Sequence, residues 1–314
     1  MYIGIDLGGT NIAAGLVDEK GNIVIKDSTP TLRSRTFQEI IKDMGVLVSG
    51  IMESSGWSMD EIKGIGIGIP GVCDNSKGTV VFANNLGWVN VPISHELEKY
   101  VNKPIYIDND ANVAGLAEYM LGAGRGYNSS ITLTIGTGLG SGIILDGRVY
   151  PGSHGVGGEL GHFIFDINGP QCNCGNKGCW EQYVSATALS TMAQGAVGQK
   201  GGSLMLELAG GKVERIDAKV VVDAARKGDW VAIEVFDRFI YYLAMGIISI
   251  INIFDPEAII IGGGVSKAGE FLLEPLKKKV EEHIFYNQLG WADIKLAQLG
   301  NDAGIIGAAM IAKG

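Results

Sequence analysis

Ser130-Ile131-Thr132-Leu133-Thr134-Ile135-Gly136-Thr137-Gly138-Leu139-Gly140-Ser141-Gly142-Ile143-Ile144-Leu145-Asp146-Gly147 decides how the chain is divided. It reads as a strand over 130–135, a glycine turn at 136–140, a strand over 142–145 and a second turn at Asp146-Gly147. The first residues follow the same plan. Tyr2-Ile3-Gly4-Ile5 enters a turn at Gly8-Gly9, and Ile12-Ala13-Ala14-Gly15-Leu16-Val17 leaves it. A pattern that restarts after Gly122-Ala123-Gly124-Arg125-Gly126 predicts duplicated α/β domains facing each other across a cleft. The boundaries fall at 1–121 plus 300–314 for an N-terminal domain and 122–299 for a C-terminal one.

Elsewhere in the first half the patterning predicts a third strand over 23–26, a helix over 37–55 and an alternating strand over 64–69 ending at Pro70-Gly71. A helix over 93–101, a strand over 104–107 and a helix over 110–121 follow. The second half continues with a cysteine-rich loop, helices over 184–196, 218–227 and 230–254, and a strand over 258–261. Gly262-Gly263-Gly264 then makes a turn, a helix runs to about 282, and a small-residue helix covers 303–312.

Glycine accounts for 48 of the 314 residues, about twice the usual ~7%. Only 8 prolines and no Gly-X-Y period exclude collagen, and an apolar fraction of 46% excludes disorder. Folded backbone must therefore come close to something at many places. The formal charge of −9 gives no general attraction to nucleic acid or to an anionic membrane, so an anionic ligand has to be held locally. The longest apolar run, Phe239 to Phe254, falls short of the ~20 residues that span a bilayer and predicts a buried helix. Met1-Tyr2-Ile3-Gly4-Ile5-Asp6 is an acidic-tipped apolar run without the basic n-region of a signal peptide, and the four cysteines do not read as a disulfide framework, so a cytoplasmic protein is expected.

Asp6-Leu7-Gly8-Gly9-Thr10-Asn11 sets a carboxylate at a strand end, then bare backbone, then a hydroxyl and an amide. Backbone N–H groups without Cβ interference can surround phosphate oxygens, Thr10 can add a donor, and Asp6 would face Mg²⁺ through water. Alone, the motif is equally a hairpin turn with a helpful aspartate. Its partner Gly136-Thr137-Gly138 at the matching place in the second half favours the phosphate reading. Gly66-Ile67-Gly68-Ile69-Pro70-Gly71 formally matches a dinucleotide fingerprint but opens no helix and has no acidic residue about 20 positions on.

His162, Cys172, Cys174 and Cys179 supply a tetrahedral Cys₃His donor set, with Gly175 and Gly178 letting the loop fold back. A closed set of four leaves no position for water, so the expected Zn²⁺ is structural; unpaired core cysteines and a surface histidine are the alternative. Glu159 and Glu181 flank this loop. Asp110 begins a helix, where an aspartate is most often an N-cap. It also follows a strand, between Asn109 and Asn112, where a carboxylate could take a proton from a hydroxyl attacking phosphorus.

Together these motifs resemble the ROK (repressor, open reading frame, kinase) family, over essentially the whole chain. The resemblance rests on Asp6-Leu7-Gly8-Gly9-Thr10, Asn109-Asp110-Ala111-Asn112, Gly136-Thr137-Gly138, Glu159-Leu160-Gly161-His162, the cysteine loop ending in Glu181, and Gly262-Gly263-Gly264. It implies the actin/hexokinase-like (ribonuclease H-like) ATPase fold, α/β in class, with ATP and Mg²⁺ as co-substrate. Asp110 would be the base on a hexose 6-hydroxyl. Gly71, Asn85, Asn109, Glu159, His162 and Glu181 would bind the remaining sugar. Asp6, Gly8, Gly9, Thr10, Asn11, Gly136, Thr137 and Gly138 would hold the donor phosphates and Mg²⁺, and Gly262, Gly263 and Gly264 would lie against adenosine. His162 would use one ring nitrogen on zinc and the other on the sugar. Asn84-Asn85-Leu86-Gly87-Trp88 and the Cys₃His loop are similar to bacterial glucokinases, which makes glucose the first expectation. N-acetylmannosamine, mannose, fructose and allose are the alternatives, and polyphosphate is not excluded as donor. A sugar-responsive repressor would carry a helix-turn-helix ahead of the first strand, and a non-catalytic sensor would lack Asp110. The resemblance also implies a homodimer.

Overall fold

Both hairpins form around their glycine turns. In the computed structural model, which describes residues 1–200 and 202–314, β1 (Tyr2–Leu7) pairs antiparallel with β2 (Asn11–Val17), and β2 with β3 (Ile23–Pro30). The third strand runs four residues beyond the predicted Lys26. Its extension, Asp27-Ser28-Thr29-Pro30, is polar because it lies on a sheet edge, so no apolar alternation betrays it. α1 (Phe37–Ser55) starts on a capping box between Thr36 and Glu39 and stops at Gly56, whose φ of 72° ends the helix. β4 (Gly64–Ile69) lies parallel to β1, completing the sheet centre.

Sequence patterning missed a small sheet after Gly71: β5 (Val72–Asp74), β6 (Thr79–Ala83) and β7 (Trp88–Val91). These strands are short and half exposed, and the Asp74-Asn75-Ser76-Lys77-Gly78 link reads as an isolated turn. α2 (Ile93–Leu97), β8 (Ile105–Asn109) and α3 (Asp110–Leu121) complete this stretch, and the sheet order is β3-β2-β1-β4-β8.

The restart gives β9 (Ser130–Ile135), β10 (Leu139–Leu145) and β11 (Arg148–Val149). α4 (Glu181–Val184), α5 (Ala186–Lys200), α6 (Leu204–Leu208), α7 (Ala218–Arg226) and α8 (Trp230–Phe254) follow, then β12 (Ala258–Gly262), α9 (Glu270–His283), β13 (Asp293–Leu296) and α10 (Ala303–Lys313). The second sheet runs β11-β10-β9-β12-β13, with β12 parallel to both neighbours. Each sheet thus has a three-strand run joined in chain order and then two further strands reached by crossovers. Among the described residues no helix is long and apolar enough to cross a membrane, and α8 is buried along one face.

The chain separates into two compact units, residues 1–126, 142–158 and 298–314, and residues 127–141 and 159–297. Residues 142–158 were expected in the C-terminal domain. They fall in the first unit because Gly142 presses on α3: a Cβ there would lie 2.5 Å from the Ala111 carbonyl oxygen.

In the first unit the two faces of the sheet are packed differently. Ile3, Ile5 and Leu7 of β1 and Ile65, Ile67 and Ile69 of β4 form one core with Ile40, Met44, Val48 and Ile51 of α1. Gly4 and Gly66 face the other way, onto α10. A Cβ on Gly66 would sit 1.7 Å from the Ala308 carbonyl oxygen, and one on Gly4 would sit 1.9 Å from that of Ile305. α10 in turn meets α3 at Gly307, where a Cβ would lie 1.7 Å from the Val113 oxygen. The strand glycines are therefore packing residues that admit helix backbone to sheet backbone.

Candidate active site

In the first unit, β1 delivers Asp6 to the mouth of the first turn. Its carboxylate lies against the start of α10, where a Cβ on Gly304 would be 2.4 Å from Oδ2. A helix N-terminus favours the anion, yet burial dominates and pushes the carboxyl up to about 6. A divalent cation beside it would restore the charged form. The turn itself closes through the Gly8 N–H on the Asn11 carbonyl at 2.9 Å, and Thr10 and Asn11 are exposed. Asn85 is beside it: a Cβ on Gly9 would come 3.8 Å from the Asn85 Cβ.

Asp110 is the first residue of α3, and the cap is its predecessor. Asn109 Oδ1 accepts from the N–H groups of Ala111 at 2.9 Å and Asn112 at 3.3 Å, while its Nδ2 donates to the Gly71 carbonyl at 3.0 Å. The N-cap is thus the asparagine and not Asp110, although Asp110 Oδ1 shares the Ala111 N–H at 2.8 Å. Gly71 has φ 131°, and a Cβ there would lie 2.2 Å from the Phe82 oxygen, so only glycine can present its carbonyl to Asn109 in this way. Asp108, which sequence reasoning passed over, accepts from Asn112 Nδ2 at 3.0 Å and from the Asn109 N–H. Burial nonetheless raises its carboxyl. The signal for it was the run Asp108-Asn109-Asp110, three polar residues where an apolar strand gives way to a helix. Cys73, remote in sequence from the other three cysteines and expected to be an ordinary buried thiol, is buried and pushed up to about 12 by burial, with Asp108 and Asp110 adding to it.

In the second unit, the turn after β9 closes through the Gly136 N–H on the Gly138 carbonyl at 3.0 Å. Glu181 Oε2 accepts the Leu139 N–H at 2.8 Å, and a Cβ on Gly138 would sit 2.4 Å from that oxygen. One carboxylate thus touches the glycine turn directly. Glu159 precedes a short 3₁₀ turn ending in His162, and burial raises its carboxyl; nearby Glu181 adds to the rise while His162 opposes it. Glu159, His162 and Glu181 are therefore close enough to influence one another. The Ser141 hydroxyl accepts the Leu160 N–H at 3.2 Å, and Gly161 lies against the Leu139 carbonyl. Gly263, with φ 81°, packs on the end of β9, where a Cβ would be 2.4 Å from the Ile135 oxygen, so the triple-glycine turn adjoins Gly136.

The ligand atoms of His162, Cys172, Cys174 and Cys179 all lie within 4.8 Å of one another. Cys172 Sγ is 3.7 Å from His162 Nδ1, and Cys174 Sγ is 3.5 Å from Cys179 Sγ. Tetrahedral zinc with ~2.3 Å bonds to sulfur has edges of ~3.7 Å, so the donor set fits that ion. Without a cation the crowding is unfavourable: burial and the adjacent thiols push Cys179 up to about 12. Trp180 anchors the loop. It is fully buried, donates Nε1 to the Tyr242 carbonyl at 3.0 Å, stacks on Phe163 at 5.2 Å, and requires Gly246 in α8, where a Cβ would be 2.0 Å from its ring. Glu181 follows it directly, so the metal loop and the glycine turn are joined through one residue.

A model of the ROK family matches residues 2–314. The glucokinase of Thermotoga maritima is 41% identical over 312 residues, covering 99% of this chain and 96% of that protein. Among solved structures, a ROK family glucokinase from Streptomyces griseus in complex with glucose and AMPPNP superposes with a TM-score of 0.87 at 37% identity, covering 99% of both chains. The xylose repressor of Caldicellulosiruptor bescii is 31% identical over 97% of this chain, which spans 76% of that repressor.

Proposed function

This chain belongs to the ROK family, and from that premise we propose that it is an ATP-dependent glucokinase, transferring the γ-phosphoryl group of ATP to the 6-hydroxyl of glucose. The observation that carries the reading is the likeness, over 99% of both chains, to a glucokinase whose structure holds glucose and AMPPNP.

The geometry supports a division of labour. Asp110, first residue of α3 after the Asn109 cap, takes the proton of the 6-hydroxyl as its oxygen bonds to phosphorus and the bond to the ADP oxygen breaks. Asn85, Asn109, Glu159, His162 and Glu181 match a polyhydroxylated neutral ligand, in which each buried hydroxyl wants a partner worth ~1 kcal/mol or more. Backbone N–H groups of the Gly8–Asn11 and Gly136–Gly138 turns neutralise phosphate charge, which an acidic chain cannot do by general attraction. Mg²⁺, when bound, would share that task, with Asp6 as its nearest carboxylate in the first turn. Gly262, Gly263 and Gly264 form the adenosine side.

His162, Cys172, Cys174 and Cys179 would hold a structural Zn²⁺. Nδ1 is the imidazole nitrogen on the cysteine side, which leaves Nε2 for a sugar hydroxyl and fixes the ring tautomer. We take the protein to be a cytoplasmic homodimer, a reading to be checked by light scattering on the purified chain. A coupled assay of ADP release across glucose, mannose, fructose, allose and N-acetylmannosamine, with ATP and polyphosphate as donors, tests the function. Glucose with ATP should give the highest kcat/KM. Preference for another hexose would move the reading within the family, and absence of turnover with all of them would overturn it.

A further inference from the structure

The two glycine turns are held from behind in the same manner. Thr31, fully buried one residue beyond β3, donates its backbone N–H to the Thr10 carbonyl at 2.8 Å and its hydroxyl to the Gly8 carbonyl at 2.6 Å. Arg35 fixes Thr31 in turn, donating to its carbonyl at 3.2 Å and to Asp43 of α1 at 2.6 Å. In the other unit, Ala186 and Thr187 open α5. The Ala186 N–H donates to the Gly136 carbonyl at 2.8 Å, and the Thr187 hydroxyl donates to the Thr137 carbonyl at 2.8 Å.

A trans peptide is planar, so the carbonyl of one residue and the N–H of the next point in opposite directions. Holding the Gly8 oxygen on Thr31 therefore turns the Gly9 N–H away from Thr31. Holding the Gly136 and Thr137 oxygens does the same for the N–H groups of Thr137 and Gly138. Only in that orientation can a glycine turn attract an anion, since a carbonyl swung the other way would repel it. Glycine has no side chain to restrain the peptide, so the restraint has to come from outside the turn. We propose that Thr31 and Thr187 are positioning residues that hold the two donor-phosphate turns with their N–H groups outward. This rests on the kinase reading above, and it adds to that reading two residues that touch neither sugar nor the reacting atoms.

The test uses the full chain as Thr31→Val, Thr31→Ser and Thr187→Val. Steady-state kinetics give KM for ATP and for glucose, calorimetry gives the affinity for AMPPNP, and a thermal melt reports folding. Thr31→Val should raise KM for ATP about tenfold, the cost of stripping a buried carbonyl of its donor, with KM for glucose changed by less than about twofold. Thr31→Ser, which keeps the hydroxyl, should restore most of the loss. Thr187 is exposed and water can replace its hydroxyl, so Thr187→Val should cost only about threefold in KM for ATP. Unchanged KM for ATP in both valine variants would overturn the proposal, as would equal weakening of ATP and glucose. If Thr31→Val does not fold, Thr187→Val alone decides it by the same criterion, an unchanged KM for ATP overturning the proposal. A wild-type chain that binds AMPPNP but phosphorylates no hexose overturns the kinase reading alone, and AMPPNP affinity of the variants then decides the clamp.

Discussion

The strands β1 and β4 in the first sheet and β9 and β12 in the second hold equivalent places, yet they are packed by different means. Gly64-Ile65-Gly66-Ile67-Gly68-Ile69 gives β4 one isoleucine face and one bare face, whereas Ala258-Ile259-Ile260-Ile261 gives β12 three successive isoleucines. Both strands are wholly buried. The bare face receives the backbone of α10, while the second sheet fills its space with side chains. One plan thus uses glycine for two unrelated purposes. In β1 and β4 it admits a helix, and in the turns at 8–9 and 136–138 it leaves backbone N–H groups accessible.

Substitution separates the two purposes. Gly66→Ala puts a methyl group into the Ala308 carbonyl, so it should destabilise by more than ~4 kcal/mol, the range of severe core overpacking and strain, and leave little folded protein in a thermal melt. Gly136→Ala meets nothing within 4 Å in the protein, so its melting temperature should stay within a few degrees of wild type while ATP-dependent turnover falls sharply. If Gly136→Ala melts like Gly66→Ala, the distinction between packing and binding glycines is wrong.

Next in size, Asp110→Asn should lower kcat by ~10² or more while glucose affinity stays near wild type. Retained turnover would remove Asp110 from the role of base. Cys172→Ala should lose the metal and weaken glucose binding ~10-fold or more, because His162 loses the partner that fixes its ring. A variant without zinc that binds glucose normally would break the link drawn through His162. The smallest effect is on stability. Asp6 holds its proton more tightly in the folded chain, up to about 6, than the ordinary carboxylate value of 3.8. The associated stability is complete below pH ~4 and is lost as pH rises through 6. Asp6→Asn should therefore melt several degrees above wild type at pH 7.5 and level with it at pH 4, measured without Mg²⁺, whereas a variant less stable at pH 7.5 would show that the carboxylate is well accommodated.

The extent to which this was legible in the sequence follows the range of the interactions. Both hairpins, the helix boundaries at Phe37–Ser55, Asp110–Leu121 and Trp230–Phe254, and the Cys₃His set rest on local spacing, caps and turn chemistry. Glycines 64, 66 and 68 had no assignment because Gly66 answers to Ala308, far along the chain. Thr31 carried no signal either, since its partner Gly8 is 23 residues away and an isolated threonine after a strand is unremarkable. The sheet of β5 to β7 escaped notice because its short strands alternate poorly. Asn109 rather than Asp110 as the cap could not be chosen from sequence, as both residues are good caps.

The central claim, that the paired turns hold ATP for transfer to glucose, is tested most directly by following ADP release from Mg-ATP by the purified wild-type chain, with and without glucose. The account predicts one ADP for each glucose 6-phosphate formed and far slower release when glucose is withheld. ADP release that ignores glucose, or none at all from a folded chain that binds glucose, would contradict it.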